Sequence, residues 1–171
     1  MSSAGPDLAA LGLPCFEWGQ VFHIGLRVAD IGVAQRDLTS STGLHWTPTV
    51  RLPMTAWVPE VGRREYDLEM AHSVEGPIHI ELLHGPDGSI WDASLGAGLH
   101  HIGVWVEDVG AASRSLVEQG WTVEMAGTAP EEGYGHFTYI RSPAGILFEP
   151  EPSVGGGPER FARWWSGGDL F

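Results

Sequence analysis

FHIGLRVADIGVAQRDL at residues 22–38 returns as HHIGVWVEDVGAASRSL at residues 100–116, a constant offset of 78 with nine of seventeen positions identical. The shared residues are His23 and His101, Ile24 and Ile102, Gly25 and Gly103, Val28 and Val106, Asp30 and Asp108, Gly32 and Gly110, Ala34 and Ala112, Arg36 and Arg114, and Leu38 and Leu116. A duplicated unit of this kind fixes an architecture before any site is argued. Each copy opens with alternating apolar residues, the pattern of a strand. An Asp then stands where it can cap a helix, and apolar residues recur at helical spacing, at Ile31, Ala34 and Leu38 and at Val109, Ala112 and Leu116. Gly43 and Gly120 mark the helix ends.

Outward from the repeat, segments rich in β-branched and aromatic residues predict strands over 45–52, 65–71 and 78–84 in the first copy, and over 121–125, 136–141 and 145–151 in the second. GPDG at 85–88 and SPAG at 142–145 supply the turns. The reading is α+β, two βαβββ modules at 20–85 and 99–152 joined by a linker at 86–98, with an N-terminal extension at 1–19 and a C-terminal tail at 153–171. Residues 159–165 can form one or two helical turns that lay Phe161, Trp164 and Trp165 on the body or on a second subunit.

Composition narrows the function. The chain has 171 residues and 22 acidic against nine basic side chains, all nine arginine, for a net charge of −13. Nucleic-acid binding needs clustered cations and is not expected. No apolar run reaches the ~20 residues of a membrane span. One cysteine, Cys15, and no basic, apolar leader at the N-terminus point to a cytoplasmic setting. Eight histidines set among many carboxylates raise metal binding.

Strand parity selects which polar side chains share a face. Phe22, Ile24, Leu26 and Val28 form the helix side of the first strand, so His23 and Gly25 point the other way. Ile102, Val104 and Val106 do the same in the fifth strand, with His100 among them and His101 and Gly103 opposite. Ile78, Ile80 and Leu82 alternate with His79 and Glu81, and Ile146 and Phe148 with Glu149 and Glu151. Each copy thus offers one His on its first strand and one Glu on its last, and two imidazoles with two carboxylates suit one divalent ion. Gly25 and Gly103 are expected to leave open volume for a substrate.

The HIG-x-x-V-x-D openings, IELL at 80–83, LHHIGVWVEDV at 99–109 and YIRSPAGILFE at 139–149 resemble the vicinal oxygen chelate superfamily, which includes glyoxalase I, methylmalonyl-CoA epimerase, extradiol dioxygenases, and the fosfomycin and bleomycin resistance proteins. The resemblance covers about residues 20–151. It implies two modules curling an eight-stranded mixed sheet into a cup around one metal ion, held by His23, Glu81, His101 and Glu149, the four that parity selects. It also implies dimers, with each site inside one chain or across two.

Zn, Ni, Co, Mn and Fe all accept such a ligand set. The resemblance implies a metal-dependent isomerase, epimerase or lyase of the glyoxalase type that takes a proton next to a carbonyl through a metal-stabilised enediolate, on a small molecule with adjacent oxygens. Glu149 is the first candidate base, with pure ligation as the alternative. His79 can orient a substrate or stand at the rim, and Asp67 matches loosely a carboxylate base of epimerase-like enzymes or belongs to an exposed acidic strand face. Arg27 and Arg141 can bind an anion or make surface ion pairs. A Glu at position 81 argues against a dioxygenase facial triad, and scarce cations argue against a CoA ester. Two alternatives remain: an iron-dependent extradiol-type dioxygenase, and a metal-free drug-binding protein whose cup is lined by Trp46, Trp57, Trp91 and Trp105.

Overall fold

The computed structural model describes residues 15–171, so most of the expected N-terminal extension lies outside the described residues. In chain order the elements are β1 (Val21–Arg27), α1 (Ile31–Thr42), β2 (Val50–Val58), β3 (Gly62–His72), β4 (His79–His84), β5 (Gly98–Val106), α2 (Val109–Glu118), β6 (Thr122–Ala126), β7 (Thr138–Arg141), β8 (Leu147–Pro152) and α3 (Gly157–Trp165). The strand–helix–three-strand order occurs twice, as expected. Asp30 and Asp108 cap their helices alike, each side chain accepting a hydrogen bond at 2.8 Å, from Val33 N and Ala111 N. Gly43, in the left-handed region at φ 79°, ends α1.

The strands close into one mixed barrel in the order β1-β4-β3-β2-β6-β7-β8-β5. Within each half the first strand runs parallel to the last, β1 beside β4 and β5 beside β8. Two antiparallel seams join the halves: a long one between β1 and β5, and a narrow one between β2 and β6 at Trp57 and Ala126. The modules therefore close on each other within a single chain. α1 packs outside through Ile31, Ala34 and Leu38 against Leu26, Ile80 and Leu82, and α2 through Val109 and Ala112 against Val104, Val106 and Phe148.

Three expectations need correction. The strand predicted over 45–52 begins only at Val50. Trp46 makes a lone bridge to Ser73, and Pro48, with no N–H to give a ladder, interrupts the run. β3 extends to His72, one residue past the predicted end. The parity argument also slips before each histidine. The long seam shifts register between Val21 and His23 and again between Gly25 and Leu26, which leaves Phe22 and His100 as the unpaired residues of two β-bulges. Phe22 consequently stacks on Trp105 inside the barrel, centroids 3.7 Å apart, while its neighbour Val21 takes the helix side. His100 likewise turns to Tyr139, 5.5 Å away.

The barrel interior holds Ala56, Leu68, Met70, Leu83, Trp91, Met125 and Tyr139, and the C-terminal tail completes it with Phe161, Trp164 and Leu170, each at most 5% exposed. Burying such side chains stabilises by about 1.5–3 kcal/mol each. The tail is thus part of the core. No helix among the described residues is long and apolar enough to cross a membrane.

Candidate metal centre

The long seam builds the site. In its antiparallel register His23 faces Gly103 and Gly25 faces His101, and on the other flank Gly25 pairs with Glu81 and Gly103 with Glu149. Each imidazole therefore lies over the glycine of the opposite half. A Cβ on Gly25 would overlap the His101 ring, and one on Gly103 the His23 ring. The space expected for substrate above these glycines is filled by the partner histidines.

His23, Glu81, His101 and Glu149 are all buried, and one donor atom from each lies within 4.8 Å of the other three. Glu81 Oε2 is 3.4 Å from His23 Nε2 and 3.2 Å from His101 Nε2, and Glu149 Oε2 is 3.3 and 2.9 Å from the same atoms. The two Nε2 atoms are 2.6 Å apart. Bonds of about 2.0–2.2 Å to one ion separate neighbouring ligand atoms by about 2.9–3.4 Å. Glu81 Oε2 is buried without a hydrogen-bond partner, an arrangement that costs free energy unless a cation engages it. Burial disfavours charge here, yet Glu149 and Glu81 raise His101 to about 10, and His101 with His23 holds Glu149 down to about 2. The cluster is a pair of buried carboxylates that demands positive charge, and its donor set fits a divalent ion.

Glu81 and His101 are held from behind. The Nε2 of His72, a fully buried residue of β3, lies 3.1 Å from Glu81 Oε1. Tyr139 packs edge-on against His101, ring centroids 5.1 Å apart, and burial together with the charges of Glu149 and Glu81 keeps it a neutral phenol. His100 Nδ1 is 3.0 Å from His101 Nδ1, and burial lowers its pKa to about 4, so it remains a neutral acceptor. His72 and Tyr139 were not among the sequence candidates. His72 carries one readable signal, because Leu68, Met70 and His72 continue one inward-facing series.

Other expected residues fall elsewhere. Asp67 is exposed on the outer face of β3, away from the four ligands, beside Glu69, which pairs with Arg51 at 2.7 Å. His79 lies under the tail: its Nδ1–H donates to Ser73 O at 2.7 Å and its ring stacks on Trp165 at 3.6 Å. Arg27 ties down the linker through Gly96 O and Ile90 O, and Arg141 pairs with Glu124. Trp46 packs against α1, and Trp57 lies off the inward series of Leu52, Met54, Ala56 and Val58. Of the four tryptophans expected to line a cup, Trp91 does so.

A cavity of about 180 Å³ opens onto Glu81 and Glu149. Its walls are largely apolar, from Leu52, Met54, Leu68 and Met70 of the long hairpin to Phe161, Leu170 and Phe171 of the tail. Glu151, two residues beyond Glu149 on the same face, also lines it, and burial beside Glu149 and Glu81 raises its pKa well above the carboxylate range. Arg160 supplies a guanidinium to the wall.

Comparison with known proteins agrees with this fold. The barrel is similar to a hypothetical protein from Bacillus halodurans C-125 (21% identity, 79% of this chain and 94% of that one, TM-score 0.57). It is also similar to methylmalonyl-CoA epimerase from Mycobacterium tuberculosis (18%, 80% and 89%, TM-score 0.54) and to the Streptomyces coelicolor epimerase in complex with 2-nitronate-propionyl-CoA (22%, 79% and 94%, TM-score 0.53). At these identities the likeness is one of fold. No protein of curated function matches in sequence. The model of the Glyoxalase/Bleomycin resistance protein/Dioxygenase superfamily matches residues 22–139, taking in both first strands, His23, Glu81 and His101. With more than half its length under that model and the paired barrel halves that its repeat requires, the chain belongs to the Glyoxalase/Bleomycin resistance protein/Dioxygenase superfamily.

Proposed function

We propose that the chain is a metal-dependent isomerase, epimerase or lyase that moves a proton next to a carbonyl in a small molecule with adjacent oxygens. The observation that carries this reading is the buried two-histidine, two-carboxylate cluster at the floor of an apolar cavity. His23, Glu81, His101 and Glu149 hold the ion, and all four come from one chain. A divalent ion there supplies Lewis-acid polarisation of the carbonyl, which acidifies the neighbouring C–H.

The chain's own residues do the rest. Glu149 lines the cavity, and with Oε2 turned to the imidazoles its Oε1 takes the proton and returns it. Phe161, Leu170 and Phe171 keep bulk water off that atom, and Leu52, Met54, Leu68 and Met70 hold the apolar body of the substrate. A cavity of about 180 Å³ whose wall carries the single guanidinium of Arg160 suits a compact substrate and has little to offer the phosphates of a CoA ester.

Metal analysis of the purified protein, followed by incubation with small 2-oxo and 2-hydroxy compounds in D₂O, tests the reading. One divalent ion per chain and deuterium uptake without oxygen consumption are expected. Oxygen consumption on adding ferrous ion and a diol would reassign the site to dioxygenase chemistry. Ligand binding by a protein that takes up no metal would reassign it to a binder.

A further inference from the structure

Behind the ligand carboxylate of Glu81 stands a chain of two further residues that ends on a tryptophan outside the repeats. In the first half the indole N–H of Trp165, on α3, points at His72 Nδ1 at 3.1 Å. An indole nitrogen only donates, so His72 Nδ1 accepts and its proton sits on Nε2, 3.1 Å from Glu81 Oε1. One tautomer is thereby selected. It occupies Oε1 and leaves Oε2, the oxygen without a partner, facing His23 and His101. The Trp165 ring is itself held by the stack on His79, whose Nδ1–H is tied to Ser73 O.

The sheet fixes the contact of His72 with Glu81, because the two residues pair in the β3–β4 ladder. In the second half Trp91, fully buried in the linker between β4 and β5, donates from Nε1 to the Tyr139 hydroxyl at 3.3 Å, and the Tyr139 ring meets His101 edge-on.

We propose that Trp165–His72 is a positioning relay that aims one oxygen of the Glu81 carboxylate at the metal by occupying the other, and that the C-terminal helix is thereby a working part of the metal centre. The inference rests on the proposed metal-binding reading. Outer-shell partners of this kind commonly govern metal affinity by 10–100-fold.

The test is chelator competition for Co(II) and Zn(II), with the visible spectrum of the Co(II) protein as a second readout and thermal melting to confirm the fold. Trp165→Phe, which keeps the ring on His79 and removes only the donor, is expected to weaken binding by about 10-fold and to shift the Co(II) bands. His72→Leu is expected to lose about 10–100-fold. His72→Gln, which can still donate to Glu81, is expected to recover most of the loss. Wild-type affinity and an unshifted spectrum in Trp165→Phe, or equal losses in His72→Gln and His72→Leu, overturn the relay while leaving the metal site standing. Failure of the wild-type chain to take up either ion overturns both readings.

Discussion

The two halves of the barrel match where they touch and differ where they do not. Along the β1–β5 seam they are nearly interchangeable: a bulge, a histidine and a glycine in each, with every histidine seated over the other half's glycine. Away from the seam they diverge. β2 and β3 have nine and eleven residues, whereas β6 and β7 have five and four. α2 buries six residues, Val109, Gly110, Ala112, Ser113, Ser115 and Leu116, and α1 buries only Ile31. The lesson is that the pseudo-twofold is kept by reciprocal contact. A change on one side of the seam displaces a ligand supplied by the other, while the hairpins and helices answer only to their own surroundings.

The largest effects should therefore come in equal pairs. His23→Ala and His101→Ala are each expected to weaken metal binding beyond the 10–100-fold of a lost outer-shell partner, and to do so within a few-fold of each other by chelator competition. A large loss from one and little from the other would break the equivalence of the halves. Gly25→Ala and Gly103→Ala come next. Each added methyl collides with an imidazole of the opposite half, so both should lose metal binding by tens of fold and stability by roughly 1–3 kcal/mol, the usual range for overpacking. A thermal melt and a metal titration on each variant decide it. Wild-type affinity in Gly25→Ala would mean that His101 has room to retreat, and the seam would be looser than its register implies.

The seam is also where the sequence was most legible. Period-two alternation puts His23, Glu81, His101 and Glu149 on the side of their strands away from the helices, and the 78-residue offset matches the two histidines, because alternation is a local signal and the repeat shows when the chain is compared with itself. The bulges were hidden, since an extra residue in a ladder leaves the alternation on either side looking intact. Alternation alone accordingly assigns Phe22 and His100 to the helix side. The glycines announced a close approach, but nothing local says that what approaches is an imidazole from 78 residues away. His72 lies one residue past the β3 end that the pattern predicts at Ala71, and its partner Trp165 lies 93 positions further on, in a tail whose helical turns are readable but whose contact with the site is not.

The bulges offer the sharper contrast, because equivalent positions carry unlike residues. His100 reaches His101 Nδ1, while the corresponding Phe22 meets His23 edge-on, centroids 4.4 Å apart, and leaves His23 Nδ1 without a partner. His100→Ala should thus lower metal affinity by about 10-fold with a modest change in melting temperature. Phe22→Ala should do the reverse, costing about 3–5 kcal/mol by opening the stack on Trp105 and Phe161. If the two variants gave the same profile, the bulges would share one structural task and the difference between histidine and phenylalanine would carry no meaning.

The smallest effect belongs to the region where the two halves differ most in strand length. Asp67 sits on the long β2–β3 hairpin, paired across the ladder with Pro53, exposed and on the outer side of the sheet. The inner side of the same strand, through Leu68 and Met70, is what lines the cavity. Alternation along a strand keeps those two faces apart whatever substrate is bound, so Asp67 cannot reach the cavity floor without turning Leu68 and Met70 out of the core. Asp67→Asn should change stability by no more than about 0.5 kcal/mol and leave metal affinity unchanged. Solvent-deuterium exchange should be equally indifferent if Glu149 moves the proton, whereas its abolition in this variant would give the chemistry to the hairpin and make the halves functionally unequal.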